Sequence, residues 1–307
     1  MSIEFHSWVS DQISPNEIRL LQRLGGMEAK STKFQSMEFA ETVAFGHILL
    51  LDSTIQSASA DEYLYHEALV HPAMITHPHP QRILIIGGGE GATLREVLKY
   101  QSVNAAVVVD LDRELVEFCQ QKLTSWHQGA FNDPRLTLLH TDGRAYLEQQ
   151  QAKFDVIILD VTDALVDGPA AALYTKEFYA LCQQRLNDNG VLVVQGFALS
   201  CINWTEHATI RRTISRSFEV VRSYTMFVPS FACTWGFIIA TNDIDPAALS
   251  PKQVSEQIIN RNLADKLKAY DHVTHVGLFA LPKDLRVKLA QPGNILEDGK
   301  PLFSTPE

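Results

Sequence analysis

Between Ile83 and Val194 one unit recurs: a short apolar run, a break rich in glycine or aspartate, then a helical stretch. The runs Ile83-Leu84-Ile85-Ile86, Ala105 to Val109, Leu136 to Leu139, Val156-Ile157-Ile158-Leu159 and Val191 to Val194 read as buried strands. Helices are predicted over Ala92 to Tyr100, from Asp110-Leu111-Asp112 to about Leu123, and from about Thr175 to Leu186. Alternation at this spacing predicts parallel strands joined by crossover helices, an α/β, doubly wound, Rossmann-like sheet. Ligands of such sheets sit beyond the carboxyl ends of the strands. Glu90, Asp110, Asp142, Asp160 and Gln195 all fall at or just past those ends.

Upstream the pattern differs. From Phe34 to Gln56 short alternating segments, including Phe34 to Phe39 and Ile48 to Leu51, predict a small β-sheet. Asp61 to Val70 has helical spacing, and His71-Pro72 with His77-Pro78-His79-Pro80 is expected to break the chain. The expected division is an amino-terminal β-strand domain over residues 1–80 and a nucleotide-binding catalytic domain over 81–307.

The 307 residues are 46% hydrophobic and carry a formal charge of −10. Phosphate binding needs a basic face, and no block of Lys or Arg occurs, so nucleic acid is not an expected partner and a cationic ligand is. The first ten residues lack a basic region followed by an apolar one, and no apolar run approaches the ~20 residues of a membrane span. Cys119, Cys182, Cys201 and Cys233 are widely spaced without a CxxC pair, which fits a reducing cytoplasm. His66, His71, His77 and His79 lack HExxH spacing, so no metal site is expected.

The loop Gly87-Gly88-Gly89-Glu90-Gly91 follows a strand and opens a helix, and Gly87, Gly89 and Ala92 match G-x-G-x-x-A. A pyrophosphate at that helix terminus would be repelled by Glu90, whereas an ammonium or sulfonium would be attracted. The loop therefore points to an adenosyl-sulfonium compound rather than NAD. Asp110, ending the next strand, is placed to accept from ribose hydroxyls; helix capping, its other reading, suits Asp112 better. Asp142-Gly143 reads as a carboxylate near an adenine amino group, or as a turn. Asp160 and Asp163, with Asp167 beyond, could bind a polyamine chain and take a proton from an amine nucleophile; the alternative is a solvated acidic loop. Trp204, Trp235, Phe227 and Phe231 read as core or pocket wall.

The glycine loop with Arg95-Glu96-Val97-Leu98, the segment Asp61-Glu62-Tyr63-Leu64-Tyr65-His66-Glu67, and Leu51-Asp52 with Gln56 together resemble the polyamine aminopropyltransferases, the spermidine synthase family. The resemblance runs from about Phe34 to Ala240 and includes several motifs in the family's order. It implies a small amino-terminal β domain before a domain like that of class I methyltransferases, and a homodimer or homotetramer. It implies transfer of the aminopropyl group of decarboxylated S-adenosylmethionine, a co-substrate, to a polyamine, with release of methylthioadenosine and no prosthetic group. On this sequence Gln35, Gly88, Glu90, Asp110, Leu111, Asp142, Gly143 and Pro169 would hold the co-substrate. His66 and Glu90 would line the aminopropyl region, Tyr65 and Gln195 would position the acceptor, Asp163 would bind its chain, and Asp160 would accept the proton.

Two departures bear on the acceptor. Putrescine-type members read D-S-S-D-P-x-G-P, but here Asp160-Val161-Thr162-Asp163 is followed by Ala164, and two extra residues precede Gly168-Pro169. Their T-Y-P-S-G motif is replaced by Ser230-Phe231-Ala232-Cys233-Thr234-Trp235-Gly236, which removes a tyrosine hydroxyl. Both features look like thermospermine synthases and the triamine or agmatine enzymes of thermophilic bacteria. The acceptor is thus left open among putrescine, agmatine and spermidine. An S-adenosylmethionine-dependent methyltransferase on the same scaffold is the alternative, and a silent polyamine- or nucleoside-binding protein is a third reading.

Overall fold

The computed structural model describes residues 7–14, 16–162 and 170–300. Five strands come first: β1 (Trp8–Ser14), β2 (Glu17–Ser31), β3 (Ser36–Thr42), β4 (Gly46–Leu51) and β5 (Thr54–Ala58). They form an antiparallel meander in sequence order. Helix α1 (Glu62–Thr76) follows, then β6 (Arg82–Gly87), α2 (Ala92–Leu98), β7 (Ala105–Val109), α3 (Arg113–Lys122), a single turn α4 (Thr124–His127) and β8 (Leu136–Leu139). After α5 (Gly143–Gln149) come β9 (Phe154–Asp160), α6 (Lys176–Gln184), β10 (Leu186–Ala198), α7 (Thr205–Ile214), β11 (Val220–Val228) and β12 (Cys233–Thr241). Three helices close the described chain: α8 (Pro251–Asn260), α9 (His272–Phe279) and α10 (Lys283–Leu289).

The second sheet has seven strands in the order β11-β12-β10-β9-β6-β7-β8. The five from β10 to β8 are parallel, and β12 followed by β11 extends the β10 side with antiparallel strands. Side chains alternate across this sheet as the pleat requires. Ile83, Ile85, Val108, Val156 and Ile158 pack with Leu69, Met74, Leu94 and Val97 on one face. Leu84, Ile86, Val107, Ile157 and Leu159 pack with Phe178, Tyr179, Ile210 and Ile214 on the other. With both faces covered, the strands read as continuous apolar runs rather than alternating ones.

The expected break at His71-Pro72 does not occur, since α1 continues through Pro72 to Thr76. Proline removes the hydrogen bond to the carbonyl four residues earlier, that of Ala68. The Tyr224 hydroxyl, from β11, donates to that carbonyl at 2.9 Å and supplies the missing partner. Among the described residues no helix is long and apolar enough to cross a membrane.

Candidate active site

Strand β6 connects outward to β7 on one side, while β9 lies on the other, so the crevice of this sheet opens between the ends of β6 and β9. Gly87 and Asp160 are register partners there. The Asp160 carbonyl accepts from the Gly88 amide at 2.8 Å. Gly87, Gly88 and Gly91 all have positive φ, and Gly91 opens α2 in a left-handed conformation.

The Asp160 carboxylate is held at both oxygens. Tyr65, from α1, donates to Oδ1 at 2.8 Å, and Thr93, from α2, donates to Oδ2 at 2.5 Å. Burial and the Asp160 charge push the Tyr65 phenol well above its ordinary pKa, so it stays a donor. Gln195 lies one strand further, its amide donating to the Val161 carbonyl and the Tyr174 hydroxyl, both at 2.9 Å.

Glu90 leaves the glycine loop toward α1. His66 Nε2 meets its Oε1 at 2.5 Å, and Ser57, itself accepting from Trp126 Nε1 at 2.8 Å, reaches the same oxygen at 3.4 Å. His66 Nδ1 lies 2.9 Å from Glu62 Oε2. Burial alone would lower the His66 pKa, but the Glu90 and Glu62 carboxylates outweigh it and raise it to about 10. Burial pushes Glu90 up, and the His66 imidazolium counters this in part.

Asp110 is 8% exposed and ends β7, its Oδ1 accepting from the Asp112 amide at 2.8 Å. Burial, aided by the Asp112 and Asp160 charges, raises its pKa to about 6. Asp112 caps α3 through the Leu115 amide, as expected, and its other oxygen accepts from the Gln35 amide at 3.0 Å. Leu111 sits between them, half-buried. Asp142 caps α5 through the Ala145 amide at 2.7 Å, and Gly143 follows it into the first turn. Asp163 and Pro169 lie outside the described residues.

The crevice thus gathers Tyr65, His66, Glu90 and Asp160, with Asp110 at the next strand end. The sequence reading missed Thr93, Glu62, Arg95 and Tyr174. Glu62 and Arg95 stand within the motifs quoted for the family resemblance but carried no chemistry there. Phe231 packs edge-on to Tyr65 at 5.7 Å between ring centres, and Trp235 packs on Phe231 at 5.0 Å, so both border the crevice. Phe227 instead is 56% exposed. Surface depressions lined by His77, His79, Lys153, Asp155 and Asn187 lie at the opposite, amino-terminal edge of the sheet. Glu67, His71 and Glu96 bring ligand-type atoms within 4.8 Å of one another. Their lone pairs are already used: Glu96 meets His71 at 2.8 Å and Lys99 at 2.6 Å, and Glu67 accepts the amides of Lys268, Ala269 and Tyr270.

A doubly wound sheet with a glycine loop at its crevice and carboxylates at successive strand ends defines a Rossmann-like α/β enzyme fold. The spermine/spermidine synthase domain family matches residues 62–249. Polyamine aminopropyltransferase 2 of Pseudomonas aeruginosa is 47% identical over 276 residues, covering 90% of this chain and 79% of that protein. Polyamine aminopropyltransferase 2 of Hyperthermus butylicus is 40% identical over 296 residues, covering 96% of each. A crystal structure of a spermidine synthase in complex with the transition state analogue AdoDATO superposes with a TM-score of 0.85 at 30% identity, covering 94% of this chain and 96% of that one. The chain belongs to the spermine/spermidine synthase family and is an aminopropyltransferase.

Proposed function

We propose that this enzyme transfers the aminopropyl group of decarboxylated S-adenosylmethionine to a polyamine, with putrescine, agmatine and spermidine as the candidate acceptors, and releases methylthioadenosine. The observation that carries this reading is the Asp160 carboxylate, fixed by Tyr65 and Thr93 within the crevice that Glu90 also enters. An alkyl amine is protonated at neutral pH (pKa ~10.4 for a Lys-like amine), and only its free form attacks carbon. Asp160 accepts the proton as the nitrogen attacks the methylene beside the sulfonium, and the sulfur leaves as a neutral thioether. Apposition of the two reactants supplies much of the rate. The analogue-bound structure of the similar spermidine synthase supports the choice of co-substrate.

Asp110 binds the ribose, Gln35, Gly88, Leu111, Asp142 and Gly143 frame the nucleoside, and Glu90 with His66 lines the aminopropyl arm. Tyr65 and Gln195 position the acceptor. Glu90 also discriminates against intact S-adenosylmethionine, whose carboxylate it would repel. The test is methylthioadenosine release from decarboxylated S-adenosylmethionine with each of the three amines, with every product identified. Release with any amine supports the reading and its preference assigns the acceptor; silence with all three, or methyl transfer from the intact cofactor, overturns it.

A further inference from the structure

Four side chains form one buried line into the crevice. Arg95, on α2, donates from both terminal nitrogens to the two oxygens of Glu62, each at 2.9 Å. His66 Nδ1 meets the Glu62 carboxylate at 2.9 Å and the Glu62 backbone carbonyl at 2.6 Å, and His66 Nε2 meets Glu90 at 2.5 Å. Arg95, Glu62 and His66 are each more than nine-tenths buried. Only Glu90, at the end of the line, opens to the crevice, and its contacts from His66 and Ser57 both fall on Oε1, leaving Oε2 for a ligand.

A neutral imidazole donates from one nitrogen only. With a carboxylate at each nitrogen, the ring serves both only as an imidazolium. The Glu62 charge is fixed in turn by the two-pronged arginine contact. From other elements, Asp160 and the Cys119 thiol face Glu90, Asp61 stands beside Glu62, the Glu96 carboxylate meets Arg95 Nε at 2.8 Å, and the Tyr65 ring packs edge-on to His66. Asp160 and burial both favour a protonated Glu90, and the His66 imidazolium is the cation that opposes them.

We propose that Glu62 and Arg95 are positioning residues for co-substrate binding: they hold His66 as a double donor, which keeps Glu90 an oriented carboxylate aimed at the cationic aminopropyl arm. Resting on the functional reading above, this assigns recognition of the arm's charge to a line that begins outside the crevice. Loss of the Glu62 charge leaves His66 with one carboxylate. The ring then passes its Nε2 proton to Glu90 Oε1, leaving a neutral imidazole against a protonated carboxyl that no longer attracts a cation.

Calorimetric binding of decarboxylated S-adenosylmethionine and of methylthioadenosine, which lacks the arm, separates charge from packing. Glu62→Gln is expected to weaken the former about tenfold, more at pH ~6.5 than at ~8.5 because a proton on Glu90 competes with the arm, and the latter less than about twofold, with Glu62→Asp restoring the difference. Ring-nitrogen NMR should show His66 titrating above about pH 9 in the parent chain and near neutrality in Glu62→Gln. Arg95→Lys, which keeps charge but loses the two-pronged contact, should move both readouts in the same direction by less and serves if Glu62→Gln does not fold. Equal weakening of both ligands, no weakening, or an unmoved His66 titration overturns the proposal. Failure of the parent chain to bind the decarboxylated compound sinks the functional reading instead, while the NMR titration still decides the role of Glu62 toward His66.

Discussion

A methyl group on Gly87 would stand 2.1 Å from the carbonyl oxygen of Asp160. The first turn of the glycine loop and the strand end bearing the Asp160 carboxylate are thus in contact, through backbone alone, and only a residue without Cβ permits it. Gly87 also sits at φ +82, where other residues are strained.

Gly87→Ala is expected to cost about 3 kcal/mol or more, combining strain and clash. Gly25→Ala is the control: its φ is +71, yet nothing lies within 4 Å of the added carbon, so only the conformational cost of about 1 kcal/mol should appear. Urea unfolding of the two variants measures this directly. Equal costs would mean that the close approach at Asp160 does not constrain the fold.

Asp160→Asn keeps the shape and removes the proton acceptor. Turnover should fall by roughly 10²–10⁴, while methylthioadenosine affinity should change by less than about threefold. Tyr65→Phe and Thr93→Val each remove one of the two donors that hold the carboxylate. Each should lower turnover by less than Asp160→Asn does. Undiminished turnover in Asp160→Asn rules the residue out as the base.

Asp110 is held against its own stability. A folded pKa of about 6 against an ordinary 3.8 means that the folded chain favours the neutral form. Its relative stabilisation is therefore full below pH 3.8 and is lost as pH rises to about 6. At pH 7 Asp110→Asn should raise stability by roughly 1–3 kcal/mol and weaken methylthioadenosine binding at least about tenfold. A thermal shift assay with and without the nucleoside reads both, and a less stable variant would contradict the burial argument.

The His66 pair gives a slope of the same sign, displaced to alkaline pH. With the folded pKa raised to about 10, its stabilisation is complete below about pH 6.5 and disappears as pH rises toward 10. Against its burial, His66 and then Arg95 hold Glu62 down at about 2, so its contribution is complete above about pH 4.5 and lost toward pH 2. Unfolding free energy between about pH 6.5 and 10 should decline by a few kcal/mol in the parent chain, and less in His66→Gln. Parallel declines in the two would remove His66 from the account.

The doubly wound sheet was legible in the sequence because both of its faces are covered: the five parallel strands had to be apolar runs, and each strand end had to carry its polar residue. Glu90, Asp110 and Asp160 could be singled out on that ground alone. The antiparallel edge escaped the reading because β11 and β12 pair with each other and with β10, a relation set by register rather than by a local pattern. Helix α1 was shortened at Pro72 because local chemistry forbids what Tyr224, distant in sequence, makes possible. Thr93, Glu62 and Arg95 carry no signal of their own, since a threonine or an ion pair on a helix is ordinary until another element meets it. The sequence by itself determined the order of elements and which residues end the strands, because burial on both faces and the pleat leave their period in the chain. Only the tertiary structure decided which partners surround Asp160 and Glu90, because those contacts join α1, α2 and β9 across separations that no local pattern records.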